Sequence, residues 1–228
     1  MTLAQQLEHA TSIPWPVWAS LFAITLILLS GVLVRSRLAA ADGGIVPDAG
    51  FSVRNIIELL TEMLVGMAEQ TMGHKWRTYF PFVATLFLFI LVANLLGLIP
   101  GLGGATTNAS VTWAWAIISF AVHQYVGIKE NGLDYLKHFA GPVVWLAPLY
   151  IIIEVISHLS RVFTLAVRLL ANMSADHIVV GVWLALVPVV VPAIFLGLGV
   201  VVAFLQAYVF AMLSMIYIGL ALPHDDSH

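Results

Sequence analysis

One stretch of otherwise apolar sequence carries six residues of the types that move or steer protons: Glu154, His158, Arg161, Arg168, Asn172 and Asp176. On a helix at about 100° per residue, with Arg168 at zero, Arg161 falls near 20°, Glu154 and Asn172 near 40°, and His158 and Asp176 near 80°. All six share one narrow stripe. His177 falls on the far side, at about 180°. A second stretch adds Gln206, Ser214 and Tyr217, the last two within about 80° of Gln206. Holding a charge inside a bilayer costs on the order of 2.5–3.5 kcal/mol, so a stripe of them marks an ion or proton pathway rather than an ornament.

The residue types differ in how much they say. Arg161 reads equally as a snorkelling side chain or as a partner for Glu154 on the same face. Asn172 and Gln206 read also as interhelical hydrogen-bond partners, worth about 0.6 kcal/mol. A lone histidine such as His158 or His177 is commonly satisfied by a carbonyl. Arg168 has no such exit. It lies about 14 residues from Glu154 and about 20 from Pro188, roughly 21 and 30 Å along a helix. A buried lysine sheds its proton, whereas a guanidinium does not. The site therefore asks for a permanent positive charge, one that keeps a nearby carboxylate ionised and repels a hopping proton.

The elements that must position this stripe are membrane helices. The chain has 228 residues, 61% hydrophobic and 9% charged, with mean hydropathy +1.00. A soluble domain carries about 25% charged residues. Long continuous apolar runs, rather than short alternating strands, exclude a barrel. The fold class is an all-α polytopic membrane protein with about five membrane-embedded helices, forming a single domain over residues 1–228. There are no cysteines, so disulfides and thiolate metal sites are excluded. The formal charge of −3, with no basic cluster, gives no footprint for nucleic acid. No hydrolase or phosphate-loop motif occurs, and the eight histidines lack metal-ligand spacing. No metal, cofactor or ATP chemistry is expected in this chain.

Spans are expected at 16–34, 79–98 and 110–128, since about 20 apolar residues cross a core of about 30 Å. The first lacks the positive leader of a cleaved signal peptide and reads as a retained span. Residues 53–72 show helical apolar spacing interrupted by Arg54, Glu58, Glu62 and Glu69. That pattern fits an interfacial helix, a partner-docking helix, or one packed on its own spans. Two long arms follow, 143–187 and 193–222, separated by Pro188 and Pro192. They measure roughly 65 and 45 Å as helices, so each must tilt, bend or break; steep tilt in both would make a hairpin lying across the membrane. Arg35, Arg37, Arg54, Lys75 and Arg77 fall in the first connection, none in the second, and Lys129 and Lys137 in the third. Positive loops stay cytoplasmic, which places the N-terminus outside and the C-terminus in the cytoplasm.

Three stretches carry a resemblance to subunit a, the membrane-sector stator family of rotary F-type ATP synthases. These are ANLLGLIPG at 93–101, EVISHLSRVFTLAVRLLANM at 154–173 and LQAYVFAMLSMIYI at 205–218. The resemblance implies a bacterial inner-membrane protein that takes part in proton transport without catalysing ATP chemistry itself. It implies a ring of proteolipid c subunits and peripheral-stalk b subunits as partners, beside the lipid bilayer. It also implies two half-channels that lead protons to the ring carboxylates. Arg168 matches the essential arginine that faces the ring carboxylate and blocks leakage. Asn172 and Gln206 match polar residues of the access route, Glu154 an acidic residue of the other half-channel, and His177 a relay position. The relay partner is expected seven residues before Gln206, where this chain has Gly199; Asp176 is the candidate substitute. Ala171 replaces the family's glycine before the asparagine. The rival reading, a proton-coupled secondary transporter, predicts two similar halves, and no repeat is seen. An intramembrane hydrolase has no specific motif in its favour.

Overall fold

The computed structural model describes residues 8, 12–40, 52–99, 102, 104–132, 147–186 and 190–222. Lys137, residues 143–146, Pro188 and the C-terminal residues 223–228 lie outside these. Every element among the described residues is helical. In chain order they are α1 (Trp15–Ala40), α2 (Val53–Met72), a 3-10 turn (Gly73–Lys75), α3 (Trp76–Gly97), a second 3-10 turn (Ala105–Thr107), α4 (Ala109–Asn131), α5 (Ala147–Leu186) and α6 (Val190–Ala221). Five helical stretches are long and apolar enough to cross a membrane, α2 and α3 counting together as one.

α3 and α6 form the centre. α3 buries Val83, Leu86, Phe87, Ile90, Ala93, Asn94 and Gly97, and α6 buries Ala203, Gln206, Ala207, Phe210, Ser214 and Ile218. α1 touches the bundle by a thin line, Ala19 and Ala23, while Leu21, Phe22, Leu28, Leu29 and Val32 stay exposed. An apolar face without protein cover is what lipid contact requires. α2 packs against α6 and α3 through Leu64, Ala68 and Met72, spaced at one helical turn. The helix at 53–72 thus packs on the chain's own spans, one of the three readings open for it. The approach is close: a methyl group on Gly219 of α6 would lie 2.5 Å from the Thr71 carbonyl oxygen.

α4 starts where the Asn108 side chain accepts a hydrogen bond from the Ser110 amide at 2.9 Å and stops at Gly132, whose φ of 57° suits a residue without Cβ. Its inward face is Thr112, Ala116, Ser119, His123 and Val126. One end of the bundle is tied by polar contacts. The Tyr79 hydroxyl donates to Glu130 Oε1 at 2.8 Å, Lys75 pairs with Glu130, and the Asn131 amide donates to the Ala221 carbonyl at 2.6 Å. Lys75, Arg77 and Lys129 all gather at this end.

α5 is continuous over 40 residues and α6 over 32, roughly 60 and 48 Å. A break within α5 is therefore absent from 147–186, which leaves tilt or bending as the ways for a helix about twice as long as the hydrocarbon core to fit it. The described part of α6 runs from Val190, so Pro192 lies within the helix rather than before it.

Candidate functional site

α5 and α6 run antiparallel and present their polar faces to each other. The Asn172 amide donates to Gln206 Oε1 at 2.7 Å. Eleven residues further along α6, and eleven back along α5, the Arg161 guanidinium sits 4.8 Å over the Tyr217 ring. Equal steps in opposite directions are what one antiparallel register demands, and they separate the two contacts by about 16 Å. Between them Ser214 Oγ donates to the Phe210 carbonyl at 2.9 Å and meets Ser119 Oγ of α4 at 2.8 Å. Gln206, Ser214 and Tyr217 thus mark three polar rungs on one face of α6.

Arg168 lies between the first and last rung, one turn from Asn172. It is half-buried, and among the described residues its guanidinium has no hydrogen bond and no ion pair. On one side of it around the helix lie the inward polar residues. On the other side lie Ser160, Thr164, Ala171 and Ala175, all exposed. Thr164 turns its hydroxyl back to the Ser160 carbonyl at 2.7 Å, leaving a methyl outward. Arg168 therefore stands at the seam between a polar interior and an exposed face of small side chains, a surface that another helix can approach closely.

Toward the α5–α6 connection, Asp176 and His177 both line a small, partly open cavity with Gly97, Leu98, Val180 and Leu196. The sequence reading assigned them to different faces. Neighbouring residues differ by about 100°, and the cavity lies in the angle between them. Asp176 Oδ2 and His177 Nε2 are buried with no protein hydrogen-bond partner. Gly97 makes room for this corner, since a Cβ there would come within 2.9 Å of Met173 Cε and 3.6 Å of His177 Nε2. Gly199 faces the same region, where a Cβ would lie 2.6 Å from Leu98 Cδ2, the flexible end of a side chain. Leu98 packs directly against Gly199.

Toward the other end, His158 Nε2 lies 3.7 Å from Glu154 Oε1. The sequence-derived residues thus fall into two groups that the Asn172–Gln206 rung separates: Asp176 and His177 beyond it, and Glu154, His158, Arg161, Ser214 and Tyr217 on the near side with Arg168. Two neighbours escaped the sequence reading. Ser119 and His123 of α4 face this near group, with His123 centred 5.7 Å from His158 and 6.1 Å from Tyr217. Their signal was Thr112, Ser119 and His123 recurring at helical spacing, a polar line inside an apolar span. Asn94, in the ANLLGLIPG stretch, reaches the Ala203 carbonyl at 3.5 Å and joins α3 to α6.

Among known proteins, residues 17–219 match the family model described as ATP synthase A chain. The chain is 45% identical over 196 residues to ATP synthase subunit a of Bdellovibrio bacteriovorus, covering 86% of each protein. It is 44% identical over 200 residues to ATP synthase subunit a of Geobacter sulfurreducens, covering 88% of this chain and 86% of that one. It is 44% identical over 207 residues to ATP synthase subunit a 1 of Syntrophotalea carbinolica, covering 90% and 84%.

Proposed function

The chain belongs to the ATP synthase A chain family, and from that premise we propose that it is the proton-translocating stator of the membrane sector, working against a rotating ring of proteolipid c subunits. The observation that carries the reading is Arg168: a permanent cation, half-buried at the seam of an exposed small-residue face, with no counter-charge among the described residues. A ring carboxylate arriving in trans supplies that counter-charge. The guanidinium favours the ionised carboxylate, so a protonated ring site reaching it gives up its proton. The same charge opposes direct proton passage between the two sides.

Two half-channels follow. The corner of Asp176, His177 and Gly97 belongs to the outer one, and Asn172 and Gln206 lead from it toward the ring. Glu154, His158 and Arg161 belong to the inner one. The gathering of Lys75, Arg77 and Lys129 at the Glu154 end supports placing that end, and with it the C-terminus, at the cytoplasmic face of a bacterial inner membrane. The N-terminus then lies outside. Peripheral-stalk b subunits are the expected partners on the faces turned from the ring.

The test uses the absence of native cysteine. A cysteine at Ala171 or Ala175 should form a disulfide with one placed beside the carboxylate on the ring's outer helix. One at Leu29, on the lipid-facing side of α1, should not. Cross-linking at Leu29 and none at Ala171 or Ala175 overturns the assignment of the ring-facing surface.

A further inference from the structure

We propose that His123, on α4, is a proton-carrying residue of the inner half-channel, handing protons through His158 to Glu154. This rests on the proton-path reading above and adds to it a helix that reading does not use. His123 and His158 are each only 6% exposed. Their rings meet edge to face, with centroids 5.7 Å apart. His158 in turn lies one helical turn from Glu154, whose carboxylate oxygen is 3.7 Å from His158 Nε2. The groups facing His123 are His158, Glu154 and Arg161 from α5 and Tyr217 from α6, with Ser119 one turn away on its own helix. Residues from three helices therefore converge on one imidazole.

Neither ring nitrogen of His123 makes a hydrogen bond of good geometry, although the Tyr217 backbone carbonyl lies near enough to receive one weakly. At least one nitrogen is therefore buried without a protein partner, which costs free energy that an apolar residue of the same size avoids. A site with this many polar neighbours suits a bridging water, which needs two to four polar partners. The transfer balances as follows. A proton accepted at one nitrogen of neutral His123 makes the imidazolium, and the N–H of the other nitrogen passes to one water molecule. That water gives a proton to His158, His158 gives one to the Glu154 carboxylate, and the carboxyl group releases it to bulk water. A ring flip returns each imidazole to its first tautomer. No oxidant, metal or other reactant is needed.

The experiment measures passive proton conduction through the membrane sector in vesicles stripped of the ATP-hydrolysing sector, as a function of pH. His123→Gln keeps the size and polarity but carries no proton. His123→Phe keeps the aromatic contacts and serves where the glutamine variant does not assemble. Conduction in the assembled variant should fall about ten-fold or more, in line with the loss of one acid–base group, and its pH profile should flatten. The double variant His123→Gln/His158→Gln should be no worse than the single one, as expected for groups in series. Wild-type conduction with an unchanged pH profile overturns the proposal. So does failure of both single variants to assemble, which makes His123 a packing element. An Arg168→Ala control, assayed for ATP-driven pumping in vesicles that keep the ATP-hydrolysing sector, separates the two claims: if it pumps protons like the wild type, the stator reading fails, whereas unchanged conduction in the His123 variants with no pumping by Arg168→Ala sinks only this inference.

Discussion

Asn172 donates to Gln206 across 2.7 Å, one helical turn from Arg168. This hydrogen bond joins α5 to α6 beside the guanidinium and is consistent with their antiparallel register. Within a membrane such bonds average about 0.6 kcal/mol and reach about 1.7. Asn172→Leu, Gln206→Leu and the double variant form a cycle whose coupling should fall in that range when thermal unfolding of the purified complex is followed. Strict additivity would show that the bond contributes nothing to the register.

Leu98 occupies the space beside Gly199. Gly199→Ala should be cheap, because the contact is with the mobile end of a leucine. Gly199→His needs far more room and should destabilise by about 1–3 kcal/mol, the usual penalty for overpacking. Adding Leu98→Ala should restore assembly. Full stability of Gly199→His alone, read as the melting temperature of the complex, contradicts the steric account.

Gly219 and Gly31 make a matched pair. A Cβ at 219 meets the Thr71 carbonyl at 2.5 Å, backbone that cannot swing aside, whereas a Cβ at 31 meets nothing within 4 Å. Gly219→Ala should loosen the α2–α6 contact and cost about 1–3 kcal/mol. Gly31→Ala should be neutral or favourable by up to about 1 kcal/mol, from helix propensity alone. Limited proteolysis between α1 and α2 in the two variants checks the difference.

The polar stripe on α5 was legible because charge is so costly in an apolar run that its period alone revealed the face. The partner face of α6 was legible for the same reason, through Gln206, Ser214 and Tyr217. His123 was not. Thr112, Ser119 and His123 share one face of their span, but nothing in the sequence says what that face meets, and only the packing of α4 against α5 brings His123 to His158. Gly199 was legible as a departure, but its surroundings were not, since the residue packed against it, Leu98, comes from a helix end about a hundred positions away. The continuity of α5 was equally hidden. A run of that length allows a break as readily as a tilt, and only the structure shows it continuous over 147–186.

The most direct measurement concerns Arg168. In complexes purified with Arg168→Ala and reconstituted into vesicles, ATP-driven proton pumping should vanish while the full set of subunits, ring included, is still recovered. Arg168→Lys should also fail or nearly so, because an ammonium lacks the fixed, planar and permanently charged group the site holds. Pumping at the wild-type rate by assembled Arg168→Ala complexes would contradict the account at its centre.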